Sequence, residues 1–315
     1  MGRVFDHGHG ILAVDSCYER ELQTALHAVI EDGRAAIIDT GVNRSVPHML
    51  AALEERGVGP EAVDWIILTH VHLDHAGGAG EFAARCPNAK VTVHPRGARH
   101  MADPSRLMAA TVAIYGEETT RRIYGEVKPV PRDRIVETPD AAAVRLAGRE
   151  FRFFDTPGHA RHHVVVHDGG TGHVFAGDTF GISYRELDVG GRQFAFPTTS
   201  PSQFDPGPLH RSIDRIISLA PVAIYVTHFS RILEVRRLSA DLHRLVDAHA
   251  ELGLRHRRAG DERHRLLKEG VAGLLFSEGK QQGWALGGDA LRELLALDIE
   301  LNAQGIGAWL DALPE

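Results

Sequence analysis

The 315-residue sequence predicts an α+β fold with a helical C-terminal appendage. Two observations carry this. Up to about residue 230, short apolar runs rich in Val, Ile and Phe alternate with Gly, Pro and Asp turns, the pattern of successive strands. From about Val235 that pattern stops, and Leu238, Leu242, Leu245, Val246, His249 and Leu252 recur at helical spacing.

Leu26–Ile30 and Ala35–Ile38 read as strands joined by Glu31-Asp32-Gly33-Arg34, a hairpin signal. Ser45 can cap a helix from about Val46 to Arg56, with Pro47 in its first turn and Gly57 beyond its end. Val63–Leu68 reads as a strand, Gly77–Arg85 as a short helix and Ala89–His94 as a further strand; His94 is expected to be structural. Residues 96–131 differ in character. Ser105–Tyr115 and Glu117–Tyr124 carry helical patterns before Pro129 and Pro131, which predicts a helical insertion between core strands. It is either a lid whose pocket Met101 and Met108 line, or a set of helices packed on a sheet. Strands are expected at Ile135–Glu137, Ala143–Leu146, Glu150–Asp155, Val164–His167 and Val174–Ala176. Phe180–Pro206 reads as a long irregular loop, whose aromatics Phe180, Tyr184, Phe194, Phe196 and Phe204 favour order. Pro206–Leu219 reads as a helix and Val222–Thr227 as a strand. Helical character continues through Arg263–Ser277 and Asp289–Asn302, with a short turn at Ala308–Leu313. The expected division is a domain over 1–234 and a helical extension over 235–315. That extension would bind substrate, oligomerise (a homodimer is the simplest case) or pack on the core.

Composition narrows the function. A net charge of −7 argues against a nucleic-acid groove, which needs a basic surface. Hydrophobic content of 43% and charged content of 24% are ordinary for a globular protein, and no apolar run approaches the about 20 residues of a membrane span. The N-terminal residues lack the apolar stretch of a signal peptide, so a cytoplasmic location is the expectation. Cys17 and Cys86 make neither a disulfide framework nor a Cys-rich metal site. A small-molecule substrate, with no nucleic-acid or membrane partner, is what remains.

The chemistry concentrates in Thr69-His70-Val71-His72-Leu73-Asp74-His75, directly after an apolar strand. A strand would hold His70 and His72 on one side, and a turn could swing Asp74 and His75 to a second point. Imidazole nitrogens and carboxylate oxygens are what zinc, iron or manganese prefer. Three further strand-like runs end on a ligand type: Thr156-Pro157-Gly158-His159, Gly177-Asp178-Thr179 and Thr227-His228. Gly158 and Gly177 allow tight turns that bring a ligand close to a metal.

With these four segments and the early turn Asp39-Thr40-Gly41, the chain resembles the metallo-β-lactamase superfamily over about residues 10–230, nearest its glyoxalase II-like branch. The resemblance implies a four-layer αββα sandwich with the site at one edge of two facing sheets. It also implies a dinuclear centre: His70, His72 and His159 on one metal, Asp74, His75 and His228 on the other, and Asp178 bridging them. The metals would be two divalent ions, zinc first, with iron or manganese as alternatives.

Two such metals lower the pKa of a shared water towards about 7, so a bridging hydroxide could attack an ester, thioester or lactone. Asp74 would orient the nucleophile or carry a proton. Tyr184 is a candidate donor to a substrate oxyanion. In relatives that open acyl-homoserine lactones a tyrosine lies three residues after the bridging aspartate; that position is Gly181 here, with Tyr184 on the same loop. His162 and His163 depart from the small residues of many relatives and are expected either to support a ligand, to face substrate or to be structural. Glyoxalase II-like enzymes bind a glutathione thioester with C-terminal helices, but their glutathione-binding residues find no match here. A phosphodiesterase, a mononuclear iron persulfide dioxygenase using His70, His159 and Asp178, and a non-catalytic ligand-binding or regulatory protein are the competing readings. Diiron oxygen reductases usually have Glu where His72 stands.

Overall fold

The structure, a computed structural model, describes residues 2–199 and 202–314. Among them a seven-stranded sheet runs in chain order: β1 (Val4–Asp6), β2 (Ile11–Asp15), β3 (Ala25–Glu31), β4 (Arg34–Ile38), β5 (Val63–Ile67), β6 (Lys90–Val93) and β7 (Ile135–Glu137). Pairing is antiparallel from β1 to β4 and parallel from β4 to β7. Parallel neighbours cannot be joined by tight turns, so each of those links carries helices. These are α1 (Val46–Glu54), then α2 (Leu73–Ala76) and α3 (Ala79–Arg85), then α4 (Pro95–Ala102), α5 (Ser105–Tyr115) and α6 (Glu117–Tyr124). The expected helical insertion is thus the crossover from β6 to β7. Its first helix, α4, lies in that insertion but carries no helical pattern of its own in the sequence reading, because it is short and polar on average, with only Gly97, Ala98 and Met101 buried. His94 caps it by accepting from the Arg96 N–H at 3.0 Å.

The six-stranded sheet comprises β8 (Ala143–Leu146), β9 (Arg149–Asp155), β10 (Val164–Asp168), β11 (His173–Gly177), β12 (Ile224–Val226) and β13 (Ser230–Ile232), in the order β13-β12-β11-β10-β9-β8. β11 and β12 are parallel, with α7 (Pro206–Ser218) in the crossover.

Two compact units divide the chain. The first comprises Met1–Asp155, His162–Gly177 and Pro221–Arg231 and carries the sheets. Ile11, Val29, Ala36, Ile38 and Ile67 of the larger sheet meet Phe151, Phe153, Val164, Val166, Phe175 and Tyr225 of the smaller one in a shared core. Leu26, Ala28, Ala35 and Ile37, one residue out of phase, pack instead with Val46, Met49, Leu53 and Phe82 on helices. The period-2 alternation of side chains explains this partition, and burial on both faces explains why Ala35–Ile38 reads as an unbroken apolar run. The fold is an α+β sandwich of two mixed sheets, with a helical C-terminal region.

The second unit comprises Thr156–Arg161, Asp178–Ala220 and Ile232–Glu315. Besides α7 it holds α8 (Val235–His256), α9 (Arg263–Gln282), α10 (Gly288–Leu294) and α11 (Ala296–Ala312), and α8, α9 and α11 pack on one another. A Cβ on Gly270 would lie 2.3 Å from the Leu252 side chain, so glycine leaves room for that leucine where α9 meets α8. The helical stretch expected at Asp289–Asn302 breaks at Leu295, and the turn expected at Ala308–Leu313 is the end of α11. The long loop after Asp178 is ordered, with Ile182 paired to Phe196 in an isolated bridge; its Ser200 and Pro201 lie outside the described residues. Among the described residues no helix is long and apolar enough to cross a membrane.

Candidate metal centre

The first unit brings five of the seven expected ligands to the C-terminal ends of its strands. His70 and His72 follow β5, and Nε2 of His70 lies 3.0 Å from Nδ1 of His72. α2 then turns the chain so that Asp74 and His75 face His228, which follows β12. The Asp74 carboxylate oxygen Oδ2 is 3.6 Å from His75 Nε2 and 3.4 Å from His228 Nε2. These donor atoms all lie within 4.8 Å of one another, two imidazoles and a carboxylate in a set that zinc, iron or manganese accept.

Hydrogen bonds decide which ring nitrogen each histidine presents. Asp39 follows β4 at φ 55°, in the left-handed region, and its buried carboxylate meets the segments that follow β5 and β12. Its Oδ2 accepts from His75 Nδ1 at 2.8 Å and from Thr227 Oγ1 at 2.9 Å, and its Oδ1 accepts from the Thr69 N–H at 2.9 Å. Thr69 Oγ1 donates to the same carboxylate at 2.9 Å. That commits the Thr69 proton, so Thr69 Oγ1 accepts from His70 Nδ1 at 3.1 Å. His228 Nδ1 donates to the Gln23 carbonyl at 2.9 Å. His70, His75 and His228 therefore carry their proton on Nδ1 and their lone pair on Nε2, the tautomer a metal ligand needs. Thr40 completes the grip: its N–H and Oγ1 reach the His75 carbonyl at 2.6 and 2.7 Å. The Asp39-Thr40-Gly41 turn is legible in the sequence; the partners it supplies to His75 and Thr69 are set by the fold.

His162 and His163 support the same segment. The His162 Nδ1 accepts from the Val71 N–H at 3.4 Å, and the His163 ring lies 4.9 Å from that of His70. His163 is buried, and Gly177 is required beside it: a Cβ there would stand 2.6 Å from His163 Nε2 and 2.7 Å from Thr69 Oγ1.

In the second unit His159 and Asp178 lie together, His159 Nε2 3.4 Å from Asp178 Oδ2. His159 Nδ1 donates to the Thr198 carbonyl at 3.4 Å. That carbonyl is held from α11: Asn302 accepts from the Thr199 N–H at 2.7 Å and donates to the Pro197 carbonyl at 3.2 Å. Gly158, at φ +132°, passes Leu209 so closely that a Cβ would meet its backbone at 2.4 Å. The Tyr184 hydroxyl, expected to face substrate, is buried and donates to Asp298 Oδ1 on α11 at 3.2 Å.

Residues 21–228 match the metallo-beta-lactamase superfamily. A metallo-beta-lactamase fold-containing protein of Sulfurisphaera tokodaii is 28% identical over 198 residues, 61% of this chain and 67% of its own length. A hydroxyacylglutathione hydrolase of Xanthomonas axonopodis pv. citri is 31% identical over 192 residues, 61% of this chain. That match spans 54% of the hydrolase, about half its length. The fold of a metallo-beta-lactamase family protein from Thermus thermophilus superposes with a TM-score of 0.68 at 21% identity, covering 96% of this chain and 93% of that one. By the extent of the family match, which takes in more than half of its residues, the chain belongs to the metallo-beta-lactamase superfamily.

Proposed function

We propose that this protein is a metal-dependent hydrolase that binds two divalent ions, zinc foremost and iron or manganese as alternatives, and cleaves an ester, thioester or lactone. In this reading His70, His72 and His159 hold one ion, Asp74, His75 and His228 the other, and Asp178 bridges. The observation that carries it is the fixed tautomer of His70, His75 and His228, whose Nδ1 protons are held by Thr69, Asp39 and the Gln23 carbonyl. Bound metals would supply an acidified water and polarise the electrophile. The chain's own part is to hold the rings in place, to exclude bulk water by burial of His70, His75 and His159, and to keep the Asp74 carboxylate beside two ligands, where it can orient a nucleophile or take a proton. Kinship with hydroxyacylglutathione hydrolases supports acyl rather than phosphoryl transfer.

The test is metal content per chain in protein purified without added metal, with ester, thioester, lactone and phosphodiester probes run on the same sample. Two metals per chain with turnover of an acyl probe is the expected result. One iron per chain, no hydrolysis and oxygen uptake with a persulfide would overturn it.

A further inference from the structure

Outside the expected ligand set, the second unit holds two histidines that no part of the proposed reaction uses. His210 lies on α7 and His243 on α8, two helices that pack on one another. Each histidine has an aspartate four residues on, Asp214 on α7 and Asp247 on α8, so each helix presents one imidazole and one carboxylate on a shared face. The pairs engage crosswise. His210 Nε2 lies 2.9 Å from Asp247 Oδ1, and His243 Nε2 lies 3.1 Å from Asp214 Oδ1. The two rings are nearly parallel, at 5°, and their Nδ1 atoms stand 2.6 Å apart.

The carboxylates decide the tautomers. An ionised carboxylate only accepts, so the nitrogen that faces it carries the ring proton. In both neutral rings that nitrogen is Nε2, which leaves the two Nδ1 lone pairs facing each other at 2.6 Å. Lone pairs that close repel unless something positive lies between them, and the choice is a shared proton or a metal ion. Charge favours the ion. Two neutral rings and two carboxylates carry two negative charges, which a divalent cation balances and a single proton does not. Geometry favours it too. A carboxylate behind each imidazole is how proteins orient a metal-bound histidine and raise its basicity. Two nitrogens on one tetrahedral zinc stand about 3.3 Å apart, so the rings need part by less than about 1 Å. The site is open to an ion: the His210 and His243 side chains are 26% and 30% exposed, which leaves room for waters to complete four ligands.

We propose that His210 and His243 form a metal site of their own, which takes one zinc, nickel or copper ion through the two Nδ1 atoms and pins α7 to α8. Imidazole donors suit these ions, whereas magnesium prefers oxygen. The pinned helix is the one that carries the His159 turn: Leu209 is the residue Gly158 packs against, and Ser212 Oγ donates to the Pro157 carbonyl at 2.6 Å. The site does not depend on the hydrolase reading.

The test is calorimetric titration of zinc into the full chain, first loaded with metal and then freed of excess. The samples are the parent, the double variant His210→Gln with His243→Gln, and the double variant Asp214→Asn with Asp247→Asn. The readout is the difference from the parent, so it holds whatever the first centre contains. The parent should take up one zinc per chain more than the histidine variant, and excess magnesium should not displace it. The aspartate variant should bind that zinc about 10- to 100-fold more weakly. Bound zinc should also raise the parent's urea midpoint and leave that of the histidine variant unchanged. Equal uptake by parent and histidine variant would overturn the site: equal and measurable uptake means adventitious surface binding only, and none in either means a shared proton. Should the histidine variant not fold, the aspartate variant, which alters only exposed carboxylates, decides: zinc affinity within about twofold of the parent overturns the site.

Discussion

Replacing Asp39 by Asn changes almost no volume and separates the two jobs of that carboxylate. It accepts from the Thr69 N–H on Oδ1, from His75 Nδ1 and Thr227 Oγ1 on Oδ2, and from Thr69 Oγ1. An amide has one accepting oxygen and an NH2 that only donates. The two threonine hydroxyls can rotate to accept from it. The Thr69 N–H cannot, and it sits on the opposite oxygen from His75. Whichever way the amide is placed, one of these two donors faces an NH2.

If the NH2 takes the Thr69 side, a buried backbone donor is orphaned and a charge-assisted bond is lost, about 2–4 kcal/mol together. If it takes the His75 side, His75 escapes by moving its proton to Nε2. That nitrogen is the one facing Asp74, 3.6 Å away, so the escape removes a ligand. The expected outcome of Asp39→Asn is a lower urea midpoint in the metal-free protein, a metal affinity reduced about 10- to 100-fold by chelator competition, or both in part. A variant with parental midpoint and parental affinity would refute the assignment of Asp39 as the group that sets the His75 tautomer.

Three further outcomes are expected. Gly177→Ala forces a Cβ to 2.6 Å from His163 Nε2 and 2.7 Å from Thr69 Oγ1 at a positive φ, so it should destabilise by about 1–3 kcal/mol in denaturant titration and lower metal content. Burial holds His27 down to about 3, against an unfolded value of 6.5. A depressed histidine contributes fully above the unfolded value and loses that contribution as pH falls, so stability should decline by about 1.4 kcal/mol per pH unit below 6.5, and His27→Gln should flatten that slope in urea midpoints measured from pH 7 to 5. Asn302→Ala removes the Thr199 and Pro197 anchors; metal competition should show weaker binding at the His159 ligand set, while Ala at the exposed Glu293 of α10 leaves it unchanged.

The strands and the ligand-bearing segments were legible because their signals are local. Ala35–Ile38 and Val63–Ile67 are short apolar runs with turns at their ends, and His70-x-His72-x-Asp74-His75 lies within six positions. β1, β2 and β13 were missed: β1 and β13 are three residues each, β2 is buried throughout and so shows no alternation, and α4 is short and polar on average, its buried side reduced to Gly97, Ala98 and Met101. The supporting shell was illegible for a different reason. The partner of His228 Nδ1 is a backbone carbonyl, that of Gln23, and every residue has one; only the fold selects which is used. The same holds for the Thr198 carbonyl at His159. Tyr184 was singled out as a loop aromatic close in sequence to Asp178, whereas its partner Asp298, 114 positions away, offered no local pattern at all.

Asp39 also shows why site and sandwich are hard to separate. Its partners lie after β5 and β12, one strand from each sheet of the first unit, and the Thr227 carbonyl accepts from the Ala25 N–H at the start of β3 at 2.8 Å. The contacts that select the lone pairs of His70 and His75 are therefore also contacts that close the sandwich at this end. An unfolded chain has the same histidines without the tautomer or the convergence, so a metal that uses them binds the folded state far better. By mass action its binding free energy becomes folding free energy, about 2.7 kcal/mol at a hundredfold excess over Kd. On the metal-hydrolase reading, a mutation along β4, β5 or β12 that displaces Asp39 should weaken metal binding in chelator competition, and chelation should lower the urea midpoint of the parent.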